Sequence, residues 1–199
     1  MNGVKCFKAD PTHGMRPYDR FYSFGLNQTS PPSGPGNTVS QVLFSADGSK
    51  LRASVKGTPP STIGFVATWN VAHDGRLSSS FTKTYPPAGD GLALFGMANI
   101  VGASDAVMIA DPALGLTVYD FSRPKATFAP LTIDGQKATC WAKYSKATSS
   151  YWLSDLDANR VYEVSVQKGT LKSTLLTTFD LADSNNPTEL AVATVSGKQ

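Results

Sequence analysis

Cysteine and histidine are scarce in this 199-residue sequence, with two of each. Cys6 and Cys140 stand 134 positions apart, which excludes a disulfide-dense miniprotein and a cysteine-rich zinc module. Charged residues make up only 17% beside 41% hydrophobic ones, the wrong balance for a disordered chain. Charge of one sign is lacking too: 18 Lys+Arg against 15 Asp+Glu leaves +3, without long basic runs, so nucleic acid is not the implied partner. No apolar run approaches the ~20 residues of a membrane span, and Met1-Asn2-Gly3-Val4-Lys5 lacks the apolar stretch of a signal peptide. The motifs of a serine triad, a phosphate loop, HExxH or CxxC are all missing, and no cofactor or metal is implied.

Turn-forming and small polar residues are plentiful. Seventeen Gly and 13 Pro join abundant Ser and Thr, a composition that argues against long helices and for short strands. Four segments share one pattern of small or β-branched, aromatic, polar, apolar: Cys6-Phe7-Lys8-Ala9, Thr68-Trp69-Asn70-Val71, Val118-Tyr119-Asp120-Phe121 and Val161-Tyr162-Glu163-Val164. Each leads into a turn, such as His73-Asp74-Gly75 or Gln167-Lys168-Gly169, where Gly supplies the positive φ of a tight hairpin. A strand-turn-strand pair precedes the last three motifs; Val42–Val55 is echoed 100 residues later by Tyr144–Ser154. Four strands in a unit of ~45 residues is the pattern of a β-propeller blade. A sandwich of irregular hairpins would not place the aromatic at the third strand of every unit.

The expected fold is therefore all-β, a partial β-propeller of about four blades in a single domain over residues 1–199. Partial blades occupy about 1–25 and 189–199, and complete ones 39–85, 93–133 and 138–180. A blade's face must be covered by the next blade, so the terminal units are expected to present apolar faces that invite self-association.

The strand pair Leu43-Phe44-Ser45-Ala46-Asp47-Gly48-Ser49-Lys50-Leu51 is similar to the blade signature of lactonase-type seven-bladed propellers. Gly25–Pro35, Ser80–Thr84 and Asp134–Trp141 resemble segments of fungal 3-carboxymuconate cyclase-like proteins. The resemblance runs over nearly the whole chain and implies about the middle half of such a protein. It also implies an exported fungal glycoprotein, extracellular or in the cell wall, whose leader and remaining blades lie outside this sequence. The sequon Asn27-Gln28-Thr29, in a Pro/Gly/Ser-rich stretch, makes Asn27 the candidate glycosylation site. The family name implies a lactonising isomerase, in which a muconate carboxylate adds across a double bond. That chemistry needs cationic donors for the carboxylates and a proton carrier near the reacting carbon.

The first strands, which would line the channel, are almost uncharged. Glu189 is their one carboxylate and a candidate proton carrier, against a solvated strand-start glutamate. Lys137, in the turn before the third complete blade, could pair with a substrate carboxylate or merely solubilise a loop. Arg160 follows the loop Asp155–Asn159 toward one channel mouth, where an ion pair with Asp157 competes with any ligand role. His13 and His73 fall in outer turns, too far out to reach a channel. Asp111 and Asp155 recur at the end of second strands, as cation ligands or, more simply, turn caps. Trp69, Tyr119 and Tyr162 read as core aromatics. Taken together, the sequence favours an exported propeller glycoprotein with a binding, cell-wall or antigenic role for a small carboxylate or glycan. The alternative is a lactonising isomerase with further catalytic groups in other blades.

Overall fold

The computed structural model describes residues 2–58, 61–87, 93–182 and 186–193. Its described residues form fourteen strands and no helix. β1 (Gly3–Asp10) and β2 (Gly14–Ser23) make a two-stranded sheet. β3 (Val39–Phe44), β4 (Lys50–Val55), β5 (Phe65–Asn70) and β6 (Thr82–Thr84) follow as an antiparallel meander. The same order recurs in β7 (Met97–Asn99), β8 (Ala106–Asp111), β9 (Gly115–Asp120) and β10 (Thr127–Thr132), and again in β11 (Thr139–Ser145), β12 (Ser150–Asp155), β13 (Arg160–Val166) and β14 (Ser173–Asp180). Three four-stranded sheets and a leading pair, stacked face on face, constitute a partial β-propeller. The first strands meet along one line, β3 against β7 and β7 against β11, which marks the axis.

Period-two alternation explains the stack, because each middle strand feeds two interfaces at once. In β8, Val107 and Ile109 pack toward the blade before it, with Val66, Leu94 and Tyr119. Met108 and Ala110 turn the other way, onto Ala142, Leu153 and Tyr162. A strand buried on both faces reads as a continuous apolar run, and all six residues of β8 are buried. The rim strands differ: β14 exposes every residue after Ser173.

The repeated aromatic has one job. Trp69 packs on Val4, Tyr22 and Phe24 of the leading unit, Tyr119 on the second unit and Tyr162 on the third, so each seals its blade against the preceding one. Phe7 is the fourth member and stands on the corresponding side. Cys6 packs against the following blade, whereas Phe7 is 47% exposed and shares its open face with Met15 and Phe21.

Near the axis, polar contacts position the blades. Two inner strands carry an irregularity 100 residues apart, between Val39 and Gln41 and between Thr139 and Trp141, which takes Ser40 and Cys140 out of the ladder. Both freed residues grip the loop leading into β7. Ser40 Oγ donates to the Leu94 carbonyl at 2.8 Å, and the Cys140 carbonyl accepts the Gly96 N–H at 2.7 Å. The Gln41 side chain clasps Met97, accepting its N–H at 2.6 Å. Gly96 has no room for a side chain, since a Cβ there would lie 2.8 Å from both the Cys140 oxygen and the Trp141 Cα.

The expected partial blade at 189–199 differs. Residues 189–193 are assigned to no strand, and Thr194 and Val195 lie outside the described residues.

Trp69 and Phe7 occupy one repeat position with opposite burial, which predicts unequal costs. Urea unfolding of Trp69→Ala should show a loss of about 3–5 kcal/mol, and that of Phe7→Ala a change within about 0.5 kcal/mol. Comparable losses at both positions would refute the assignment of the aromatic to blade-on-blade sealing.

Candidate functional site

The second strands end beside the axis, and three kinds of side chain converge there. β4 runs into Lys56, whose N–H donates to the Thr38 carbonyl at 2.9 Å and whose side chain is buried. Lys56 Nζ lies 4.0 Å from the centre of the Phe95 ring, a distance at which the ring's negative face attracts an ammonium. Phe95 is fixed from below, where Ser54 Oγ donates to its carbonyl at 2.7 Å. Its ring meets Trp141 edge to face, 6.4 Å between centres. Trp141 Nε1 in turn donates to the Thr188 carbonyl at 2.7 Å, so the segment bearing Glu189 is docked at the same mouth. The result is a buried cation over one aromatic ring, with a second ring packed edge to face against the first.

The electrostatics follow from burial. Desolvation lowers the Lys56 pKa, with Cys140 acting weakly in the opposite sense. Burial pushes the Cys140 thiol up; the carboxylates of Asp155 and Asp157 add to this, and Lys56 opposes it. Cys140 thus remains a thiol, a weak donor bonded to the Ala138 carbonyl at 3.0 Å, and not an activated nucleophile. Cys6 and Cys140 are both free.

The residues singled out from sequence are placed as follows. Lys137 is exposed and contributes its backbone N–H, which donates to Asp155 Oδ2 at 2.9 Å. Arg160 pairs with its cross-strand neighbour Asp180, Nε to Oδ1 at 2.6 Å, and not with Asp157. The reason is register, which sets the two side chains directly opposite each other. Glu189 is exposed. Lys137 and Arg160 share the end of the last blade, because Arg160 Nη1 lies 3.4 Å from where a Gly135 Cβ would be. Among the described residues no hydrogen bond or ion pair joins Glu189 to either. His13 is exposed and bonded to Asp10, and His73 is exposed in an outer turn. Asn27 is exposed.

Asp155 is fully buried and accepts four hydrogen bonds, from the N–H groups of Lys137, Ala138 and Ala158 and from the Tyr162 hydroxyl. A carboxylate offers about four lone-pair sites, so Asp155 is saturated as a turn cap. Asp111, equally buried at the corresponding strand end, caps Ala113 N at 2.8 Å.

Lys56 was hidden in the sequence by its position, a lysine one residue past a strand and ahead of a Gly/Thr/Pro turn. The available signal was the run of small side chains Ala53-Ser54-Val55 before it, all buried in the structure.

No family model and no curated protein matches the chain. Among solved structures it is similar to the periplasmic gluconolactonase PpgL of Pseudomonas aeruginosa, at 16% identity and a TM-score of 0.59, over 92% of this chain and 66% of that one. The chain therefore spans just under two thirds of that protein's length, and the likeness is one of fold, a β-propeller.

Burial and the bond to Asp155 push the Tyr162 pKa up to about 12. The folded state then holds a proton that the unfolded chain loses near the ordinary value of about 10. This contribution is complete below pH 10 and is lost as pH rises toward 12. Chemical denaturation across that range should show stability falling with pH, and Tyr162→Phe should flatten the fall while lowering the plateau near pH 8. An unchanged alkaline slope in Tyr162→Phe would contradict the assignment.

Proposed function

We propose that this chain belongs to an exported propeller glycoprotein of the fungal 3-carboxymuconate cyclase-like kind, and that it binds a small carboxylate or sugar acid at the axial mouth without converting it. Residues 1–199 form one domain in this reading, and Asn27, exposed in a loop, carries the glycan. The observation that carries the proposal is the buried Lys56 ammonium over the Phe95 ring, which itself meets Trp141 edge to face, while the polar groups of Asp155, Arg160 and Cys140 are already committed. Asp155 is saturated, Arg160 is held by Asp180, and Cys140 is a protonated thiol. A carboxylate gains the lysine's charge, and a pyranose or muconate face gains the ring.

A second reading is a lactone-forming or lactone-opening enzyme, favoured by one observation. The lowered Lys56 pKa brings an amine toward the range in which it can carry a proton near neutral pH. The structural neighbour is a gluconolactonase by name, which makes a sugar lactone the second substrate to try.

Isothermal titration with carboxymuconate and gluconate, together with turnover assays on carboxymuconate and gluconolactone, separates the two. The binding reading expects saturable binding that Lys56→Met weakens about tenfold, roughly the loss of one charge-assisted contact, without turnover. Turnover abolished by Lys56→Met or Glu189→Gln would replace it with the enzymatic reading.

A further inference from the structure

A second cationic cleft lies at the other end of β4 from Lys56, between the blade of β3–β6 and the loop joining β9 to β10. Its wall is a cross-strand row, Arg52 opposite Thr68 and Thr68 opposite Thr82, with Lys50 one repeat further along β4. Phe121 and Arg123 face that row from the next blade, and the open cleft has a volume of about 210 Å³.

Arg52 is the unusual member. Its side chain is 1% exposed, yet only one of its nitrogens is engaged, Nη2 with Asp105 Oδ1 at 2.7 Å. Its guanidinium lies over Phe121, with Cζ 4.2 Å from the ring centre. Nε and Nη1 are buried without a hydrogen-bond partner, as is the neighbouring Thr68 Oγ1. Buried N–H groups are nearly always satisfied, and unspent donors on an always-charged group are costly. Lys50 and Arg123 add two cations against the single Asp105 carboxylate, so the cleft is net positive.

We propose that this cleft binds a phosphate-class oxyanion. Donors face the cavity from two blades, Lys50, Arg52 and Thr68 from two strands of one and Arg123 from the other, so a tetrahedral group with oxygens pointing several ways is served. A planar carboxylate, with two oxygens in one plane, is served less well. Arg52 and Thr68 form the floor, Lys50 and Arg123 the rim, and Phe121 holds the guanidinium in place. The site is separate from the axial mouth and does not depend on the reading given for it.

The test is titration of the 199-residue chain with inorganic phosphate, read by thermal unfolding and calorimetry against sodium chloride at equal ionic strength. A saturable stabilisation specific to phosphate is expected. The rim variant Lys50→Gln/Arg123→Ser, whose side chains are not core groups, should weaken it by about tenfold or more, while Lys172→Gln on another blade leaves it unchanged. A response no greater than that to chloride, equal titration by the rim variant, or equal affinity for malonate would overturn the proposal.

Discussion

A four-stranded sheet of these residues has two apolar faces, and neither is stable in water. That constraint shapes the whole chain. Burying both faces requires a neighbour on each side, and the meander of each unit is too short to fold back over itself. The solution is a stack, in which Val107 and Ile109 serve one interface while Met108 and Ala110, between and beside them on the same strand, serve the next. No blade has a core of its own. The apolar free energy, roughly 25 cal/mol per Å² removed from water, resides between units, not within them.

The axial mouth inherits its chemistry from that packing. Residues that line it must also hold the first strands together, and most of their polar capacity goes to backbone groups: Ser40 to Leu94, Ser54 to Phe95, Gln41 to Met97. Lys56 escapes because its head group lies over a ring instead of a hydrogen-bonding partner. A cation held by a quadrupole keeps its donors, which is what a ligand needs. The contrast with Asp155, a more deeply buried group whose lone pairs are all taken, separates a structural polar group from an available one.

Much of the architecture was legible in the sequence, and the reason is repetition. Trp69, Tyr119 and Tyr162 recur because the same cavity recurs, and the Asp47-Gly48 turn announces its hairpin through the positive φ of Gly48. Sites are less legible since they arise from contacts between units that sequence spacing does not encode. Arg52 stands in no motif, and only the next blade supplies the Asp105 and Phe121 that define its surroundings. Lys137 could be read from sequence as a carboxylate partner or a solubilising loop lysine, and nothing there signalled that its backbone N–H would cap Asp155. Arg160 was paired with the nearer Asp157 by sequence and with Asp180 by register.

The two irregularities at Ser40 and Cys140 have a mechanical corollary. Neighbouring blades are riveted at the hub by short hydrogen bonds through Ser40, Gln41, Ser54 and the Cys140 carbonyl, whereas further out apolar surfaces carry most of the contact and polar ties such as Arg52–Asp105 are scattered. Such an assembly resembles a hand fan, stiff at its pivot and forgiving at its rim. Copying a segment with its own rivet adds a vane without redesign of the adjoining ones, so tandem duplication is an easy path by which a fold of this kind gains length.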